Sequence, residues 1–237
     1  GIINRLGFNN AGADKFEENL EAAKDELPDD FIVGVNIGKN KRTELDDAYQ
    51  DYKFSFEKCY QHADYFTINV SSPNTEGLRQ LQQKKFLDEI LRSLQVLNKE
   101  LDDLYSESRK DIFLKIDPDL TTAELDDIIG VSIDNGITGI IATNTTISRE
   151  TLPEGKYESG GLSGKPLEPI ANAVIKHVVK NSAGKLAVIA CGGISGYDDM
   201  KEKLDLGASL VQIYTGLIYE GPGIVKRLKK QLAFDKK

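Results

Sequence analysis

The 237 residues are 40% hydrophobic and 29% charged, ordinary values for a globular chain long enough to bury a substantial core. Thirty basic against 38 acidic residues leave a formal charge of −8, which argues against non-specific nucleic-acid binding as the main activity. Cys59 and Cys191 are too few for a disulfide framework, two histidines offer no zinc-like spacing, and no apolar run approaches the roughly 18–20 residues of a membrane-spanning helix.

Short apolar or β-branched runs alternate with longer amphipathic ones along the chain. The expected order is helix 13–27, strand 31–36, helix 44–62, strand 65–70, helix 84–105, strand 112–116, helix 122–135 and strand 139–142. It continues with helix 169–181, strand 187–190, helix 197–206, strand 209–213 and a last helix from about Gly223 to Leu232. Leu87, Ile90, Leu91, Leu94 and Leu97 repeat at helix spacing. Thr121 followed by Thr122-Ala123-Glu124 fits an N-cap and an acidic first turn.

Continuous apolar strands, each separated by a helix, imply a parallel sheet covered on both faces. No G-x-G-x-x-G follows the first strand, which disfavours a dinucleotide-binding doubly wound sheet. Polar clusters instead follow the strand ends: Asn36, Asn69–Thr75, Lys115–Asp119, Thr143–Thr146, Gly192-Gly193 and Tyr214-Thr215. Chemistry gathered at the C-terminal ends of many strands is the arrangement of an α/β (β/α)₈ barrel. About six βα units are recognisable where a closed barrel has eight, and nothing marks a second domain, so residues 1–237 are expected to form one domain. The longest stretch expected to be irregular is 144–166.

Three features carry candidate chemistry. The segment Asn69-Val70-Ser71-Ser72-Pro73-Asn74-Thr75 crowds amide and hydroxyl groups at a strand exit, where asparagine offers both donor and acceptor. Composition alone reads it first as a capped turn, and Ser72 has no His or Asp beside it in sequence to activate it. Gly160–Pro166 and Gly192–Gly196 are glycine-rich loops able to approach an anion closely, and if two strands precede this sequence the second loop and the Tyr214-Thr215-Gly216 turn follow strands seven and eight, the slots of a barrel phosphate site. Lys115, inside an apolar strand, needs an anion or a polarised partner unless it snorkels at the strand end. His62 and His177 read as surface residues without chemistry, and Cys191 as a small buried packing residue.

Taken in order, Asn4–Asn10, Gly34–Asn40, Asn69–Thr75, Lys115-Ile116, Ala142–Thr146, Gly160–Leu167, Gly192–Ile194 and Val211–Gly216 resemble the dihydroorotate dehydrogenases, specifically the class 2, quinone-linked enzymes. The resemblance runs from residue 4 to about residue 225. It implies an FMN-containing barrel that oxidises dihydroorotate to orotate in pyrimidine synthesis and passes electrons to a quinone. By that analogy Ser72 is the base that removes the C5 proton while C6 delivers hydride to flavin N5; class 1 enzymes place cysteine here. Asn4, Arg5, Leu6, Gly7, Phe8, Asn69, Asn74, Asn144 and Thr145 match the substrate pocket. Asn36, Asn69, Lys115 and Thr143 match flavin contacts, and Gly164, Gly193, Tyr214 and Thr215 match the phosphate cradle.

Family members carry two further barrel strands, a flavin loop and a substrate-binding lysine ahead of the motif at Asn4, and class 2 members an N-terminal helical extension that docks on the membrane. These residues do not contain them, so the sequence is expected to be a C-terminal portion of a membrane-associated enzyme, at the bacterial inner membrane or, in a eukaryote, the mitochondrial one. Two other readings remain open: a different FMN barrel acting on a dihydropyrimidine, and an inactive fragment.

Overall fold

In a computed structural model, which describes residues 1–235, six parallel strands form one curled sheet, a partial barrel, with helices on its outer face. The chain runs β1 (Ile2–Asn4), α1 (Ala13–Lys24), β2 (Gly34–Ile37), α2 (Ala48–Cys59), β3 (Tyr65–Asn69), α3 (Lys84–Tyr105), β4 (Asp111–Ile116) and α4 (Thr122–Asp134). It continues with β5 (Gly139–Ala142), β6 (Gly161–Ser163), α5 (Glu168–Ser182), β7 (Ala187–Cys191), α6 (Tyr197–Asp205), β8 (Leu210–Gln212), α7 (Thr215–Glu220) and α8 (Gly223–Asp235). The sheet order is β2-β3-β4-β5-β7-β8.

Strand residues alternate between two environments, as the period of two requires. On the convex side Phe66, Ile68, Leu114, Ile140 and Val188 join the main core, where they meet Tyr52 and Phe56 of α2 and Leu87, Leu91 and Leu94 of α3. On the concave side Phe113, Ile141, Ile189 and Cys191 form a separate small cluster, with Tyr65 packed against it. Cys191 is therefore a packing residue, as expected. Tyr65 and Phe113 meet edge to face at 5.6 Å. Gly34 makes this possible, since a Cβ there would lie 2.0 Å from the Tyr65 ring.

The expected strand at 31–36 starts later, at Gly34, and leaves Phe31 and Ile32 exposed. The reason is local: the Val33 N–H is taken by the Asp64 carboxylate at 2.6 Å rather than by a ladder carbonyl. The expected helix 44–62 shortens to α2 plus a 3₁₀ turn at Tyr60–His62. The stretch 144–166 is not irregular throughout, because β6 lies within it and pairs antiparallel with β1, Ile2 opposite Ser163 and Asn4 opposite Gly161. Thr121 caps α4 as expected, and the Glu124 carboxylate also accepts from the Thr121 N–H, which completes a capping box.

Candidate functional site

The C-terminal ends of β2, β3 and β5 bring asparagines together. Asn69 Nδ2 donates to Asn36 Oδ1 at 3.1 Å, while Asn144 Nδ2 donates to Asn69 Oδ1 at 3.3 Å and to Ser71 Oγ at 3.1 Å. The Tyr52 hydroxyl donates to the Asn69 carbonyl at 3.0 Å and so fixes the strand end from below. Thr143 is tied to the neighbouring strand by its N–H, which donates to the Cys191 carbonyl at 2.8 Å. Lys115 sits half-buried on the concave face and donates to Gln212 Oε1 on β8 at 3.2 Å, using one of its three N–H groups.

Ser72 is 6% exposed, and the Asn74 N–H donates to its Oγ at 3.3 Å. Among the described residues no carboxylate or imidazole hydrogen-bonds to it. The β1 strand lies across this loop: Asn74 Nδ2 donates to Asn4 Oδ1 at 3.0 Å, and Asn4 Nδ2 donates to the Gly161 carbonyl at 3.4 Å. Beyond β1, a Cβ on Gly7 would stand 3.3 Å from the Asn74 carbonyl oxygen, and the Phe8 ring lies over Gly38. Thr145 Oγ1 occupies the space that a side chain at Gly161 would need. Asn4, Gly7, Phe8, Asn74 and Thr145 thus converge around the Ser72 loop. Arg5 does not join them, because its guanidinium pairs with Glu158 at 2.7 Å and donates to the Ser159 carbonyl at 3.0 Å; Leu6 is mostly exposed.

A second cluster forms where the loops after β6, β7 and β8 meet. Thr215 Oγ1 donates to Ser163 Oγ at 2.8 Å beside Gly164, and Tyr214 is exposed. Gly193 has φ 80°, and a Cβ there would sit 2.4 Å from Glu168 Cβ, so both conformation and space demand glycine. Sequence reasoning missed what braces this cluster. Lys165 Nζ lies 2.6 Å from both Glu168 and Asp199. The other oxygen of Asp199 accepts from Ser195 N and Oγ, each at 2.8 Å, and from Gly196 N at 2.9 Å. Burial alone would raise the Asp199 carboxyl, but the hydrogen bonds from Lys165, Ser195 and Gly196 outweigh it and hold it down at about 2. Asp199 stands three residues after Gly196, the spacing at which an acidic side chain in the first helical turn accepts from the N-cap N–H, which is the signal that marks it. His177 pairs with Asp126 at 2.7 Å on the outer helices, away from both clusters.

Residues 1–234 match the sequence model of a family described as dihydroorotate dehydrogenase. The chain is 47% identical over 232 residues to a dihydroorotate dehydrogenase (quinone) of Christiangramia forsetii, covering 98% of this chain and 65% of that protein. It is 44% identical to one of Shewanella frigidimarina, covering 97% and 67%. A crystal structure of DHODH from Eimeria tenella in complex with ferulenol superposes with a TM-score of 0.90 at 40% identity, over 97% of this chain and 66% of that one. The chain therefore spans about two thirds of the length of these relatives. The matched residues include both clusters, and the chain belongs to the dihydroorotate dehydrogenase family, with relatives that carry the quinone-linked name.

Proposed function

We propose that this chain carries the substrate and flavin site of an FMN-dependent enzyme that oxidises dihydroorotate to orotate in pyrimidine synthesis and delivers the electrons to a quinone. The observation that carries the reading is the set of asparagines, Asn4, Asn69, Asn74 and Asn144, gathered around a buried serine. A planar ring with imide and amide edges needs paired donors and acceptors at fixed positions, and carboxamides supply both. Residues 1–237 act as one flavin-binding unit in this reading.

The residues present suit FMN. Asn36, Asn69, Lys115 and Thr143 supply donors and one cation at the concave mouth, where a polar ring system would sit. Gly164, Gly193, Tyr214 and Thr215 form a glycine-lined turn cluster suited to a phosphate. FMN, when bound, supplies the hydride acceptor. Ser72 takes the C5 proton at Oγ as its own hydroxyl proton passes to water, and the Asn74 N–H, already aimed at Oγ, favours the partial negative charge on that oxygen as the hydroxyl proton leaves. Asn144 is oriented for the substrate by Asn69 and Ser71, and Asn4 and Asn74 orient each other. Lys115 would bring a donor and a cation to the ring system of bound FMN and so favour its reduction. A lipophilic acceptor places this activity at a membrane surface, at the bacterial inner membrane or the mitochondrial one. Among the described residues no helix is long and apolar enough to cross a membrane.

The test is anaerobic stopped-flow reduction of the flavin by dihydroorotate. The wild type is expected to bleach, and Ser72→Ala to retain its flavin while reducing it about 10²–10⁴-fold more slowly. A variant that keeps more than about half of the rate refutes Ser72 as base.

A further inference from the structure

We infer that Arg79 is a positioning residue for the loop that follows β5, holding Thr145 and Asn144 in place through the Thr145 carbonyl and thereby setting affinity for the substrate ring. The inference rests on the reading of the reaction given above.

Arg79 lies in the 3₁₀ turn Leu78–Gln82, directly after the Ser72 loop. One terminal nitrogen, Nη2, donates to the Thr145 carbonyl at 3.1 Å, and the other, Nη1, donates to Asp119 Oδ2 at 3.1 Å. Its Nε lies 2.5 Å from Asp117 Oδ2, although among the described residues its N–H is aligned with no hydrogen-bond acceptor. Asp119 holds the same loop a second time: it accepts from the Thr146 hydroxyl and from the Ile147 N–H at 2.8 Å. The Asp119 N–H in turn donates to Asp117 Oδ1 at 2.8 Å. A single guanidinium thus closes the loops after β3, β4 and β5 on one another.

The consequence for the site follows from the next residue back. The Thr145 N–H donates to Asn144 Oδ1 at 2.8 Å, and the Asn144 amide reaches Asn69 and Ser71. Moving the Thr145 backbone therefore turns the Asn144 carboxamide. Arg79 is 23% exposed, Asp119 19% and Asp117 4%, so solvent screens these contacts weakly. The planar fork matters as well as the charge. Three contacts leave the guanidinium in different directions, and an ammonium keeps the charge while losing the fork.

The experiment compares wild type and Arg79→Lys in the flavin-loaded enzyme. It measures the orotate Kd from the change in flavin absorbance, KM and kcat for dihydroorotate, flavin content and the urea unfolding midpoint. Arg79→Lys is expected to raise the orotate Kd and the dihydroorotate KM about tenfold, the equivalent of one charge-assisted bond, with kcat and flavin content near wild type. A purely structural role would instead lower the unfolding midpoint and flavin content and leave the Kd of the folded fraction unchanged. A Kd and KM within about twofold of wild type overturn the inference. If Arg79→Lys fails to load flavin, Asp119→Asn decides: it keeps a neutral acceptor for Ile147 and Arg79 and should raise the Kd at least about threefold, while an unchanged Kd overturns the inference. A wild type that neither binds orotate nor is reduced by dihydroorotate overturns the reading of the reaction and this inference with it. A wild type that does both beside an unchanged Arg79→Lys overturns this inference alone.

Discussion

Asp199→Asn tests whether the loop after β7 is held by charge. The carboxylate is 12% exposed, contacts Lys165 at 2.6 Å and accepts three hydrogen bonds from Ser195 and Gly196. Its fall from 3.8 to about 2 corresponds to about 2 kcal/mol, at about 1.4 kcal/mol for each tenfold change in proton affinity. Lys165 is 59% exposed, so screening reduces this to about 1–2 kcal/mol. The sign follows from a depressed native value. The stabilisation is complete above the unfolded value near pH 4 and is lost as the pH falls toward 2. An asparagine oxygen still accepts the Ser195 and Gly196 N–H groups, but its amide then faces the Lys165 ammonium, donor against donor. Urea unfolding at pH 7 should show Asp199→Asn about 1–3 kcal/mol less stable, and the wild-type loss between pH 5 and pH 2.5 should shrink in the variant. Fluorescence titration of the apoprotein should show FMN bound about tenfold more weakly, because the Gly192–Gly196 loop must then be ordered on binding. A stability within about 0.5 kcal/mol of wild type at pH 7, with an unaltered acid limb, refutes the argument.

Two further outcomes follow from the same geometry. Lys115→Met should lower the midpoint potential of bound flavin, since the reduced anion loses its counter-charge, and a potential equal to wild type in a redox titration refutes the contact. Burial pushes the Asp117 carboxyl up to about 7 against the pull of Arg79, so the native state keeps a proton that the unfolded chain releases from about pH 4 upward. Stability from this group is therefore full below about pH 4 and declines toward pH 7, and Asp117→Asn should flatten that decline in urea titrations, where a pH-independent difference between variant and wild type would count against it.

The parallel strands were legible because each is an apolar run whose neighbours in the sheet are also its neighbours in sequence. Gly139–Ala142 is found where its sequence places it, and Tyr65–Asn69 within one residue. The β1–β6 pair was not legible: its three-residue strands are joined by partners about 160 residues apart, and Gly161-Leu162-Ser163 reads locally as a loop. Phe31-Ile32-Val33 has strand composition but no ladder, because the Asp64 side chain takes the Val33 N–H and the register begins where glycine admits the Tyr65 ring. Residue type exposed the asparagines at the strand ends, whereas their mutual pairing depends on strand register, which composition does not carry. Arg79 was invisible for the same reason, and of the Asp199 contacts only the local cap was marked by spacing while the Lys165 pair was not. A charged residue in a turn looks solvated until its partners arrive from loops 40 or 34 residues away.

What the concave face adds is depth. Along each strand two residues advance about 6.6 Å on one face, and within that step the surface changes character. Phe113 gives way to Lys115, Thr67 to Asn69, and Ile141 to Thr143. Below the step lie Tyr65, Phe113, Ile141 and Ile189; level with Cys191 above it stand the carboxamides, the lysine and Gln212. In the proposed reaction a flat polar ligand would seat in the upper tier, since its polar edges would find no partner in the lower one. A serine is a weak base in water. Buried, with a backbone N–H aimed at its oxygen, Ser72 has the donor that the proposed proton transfer needs.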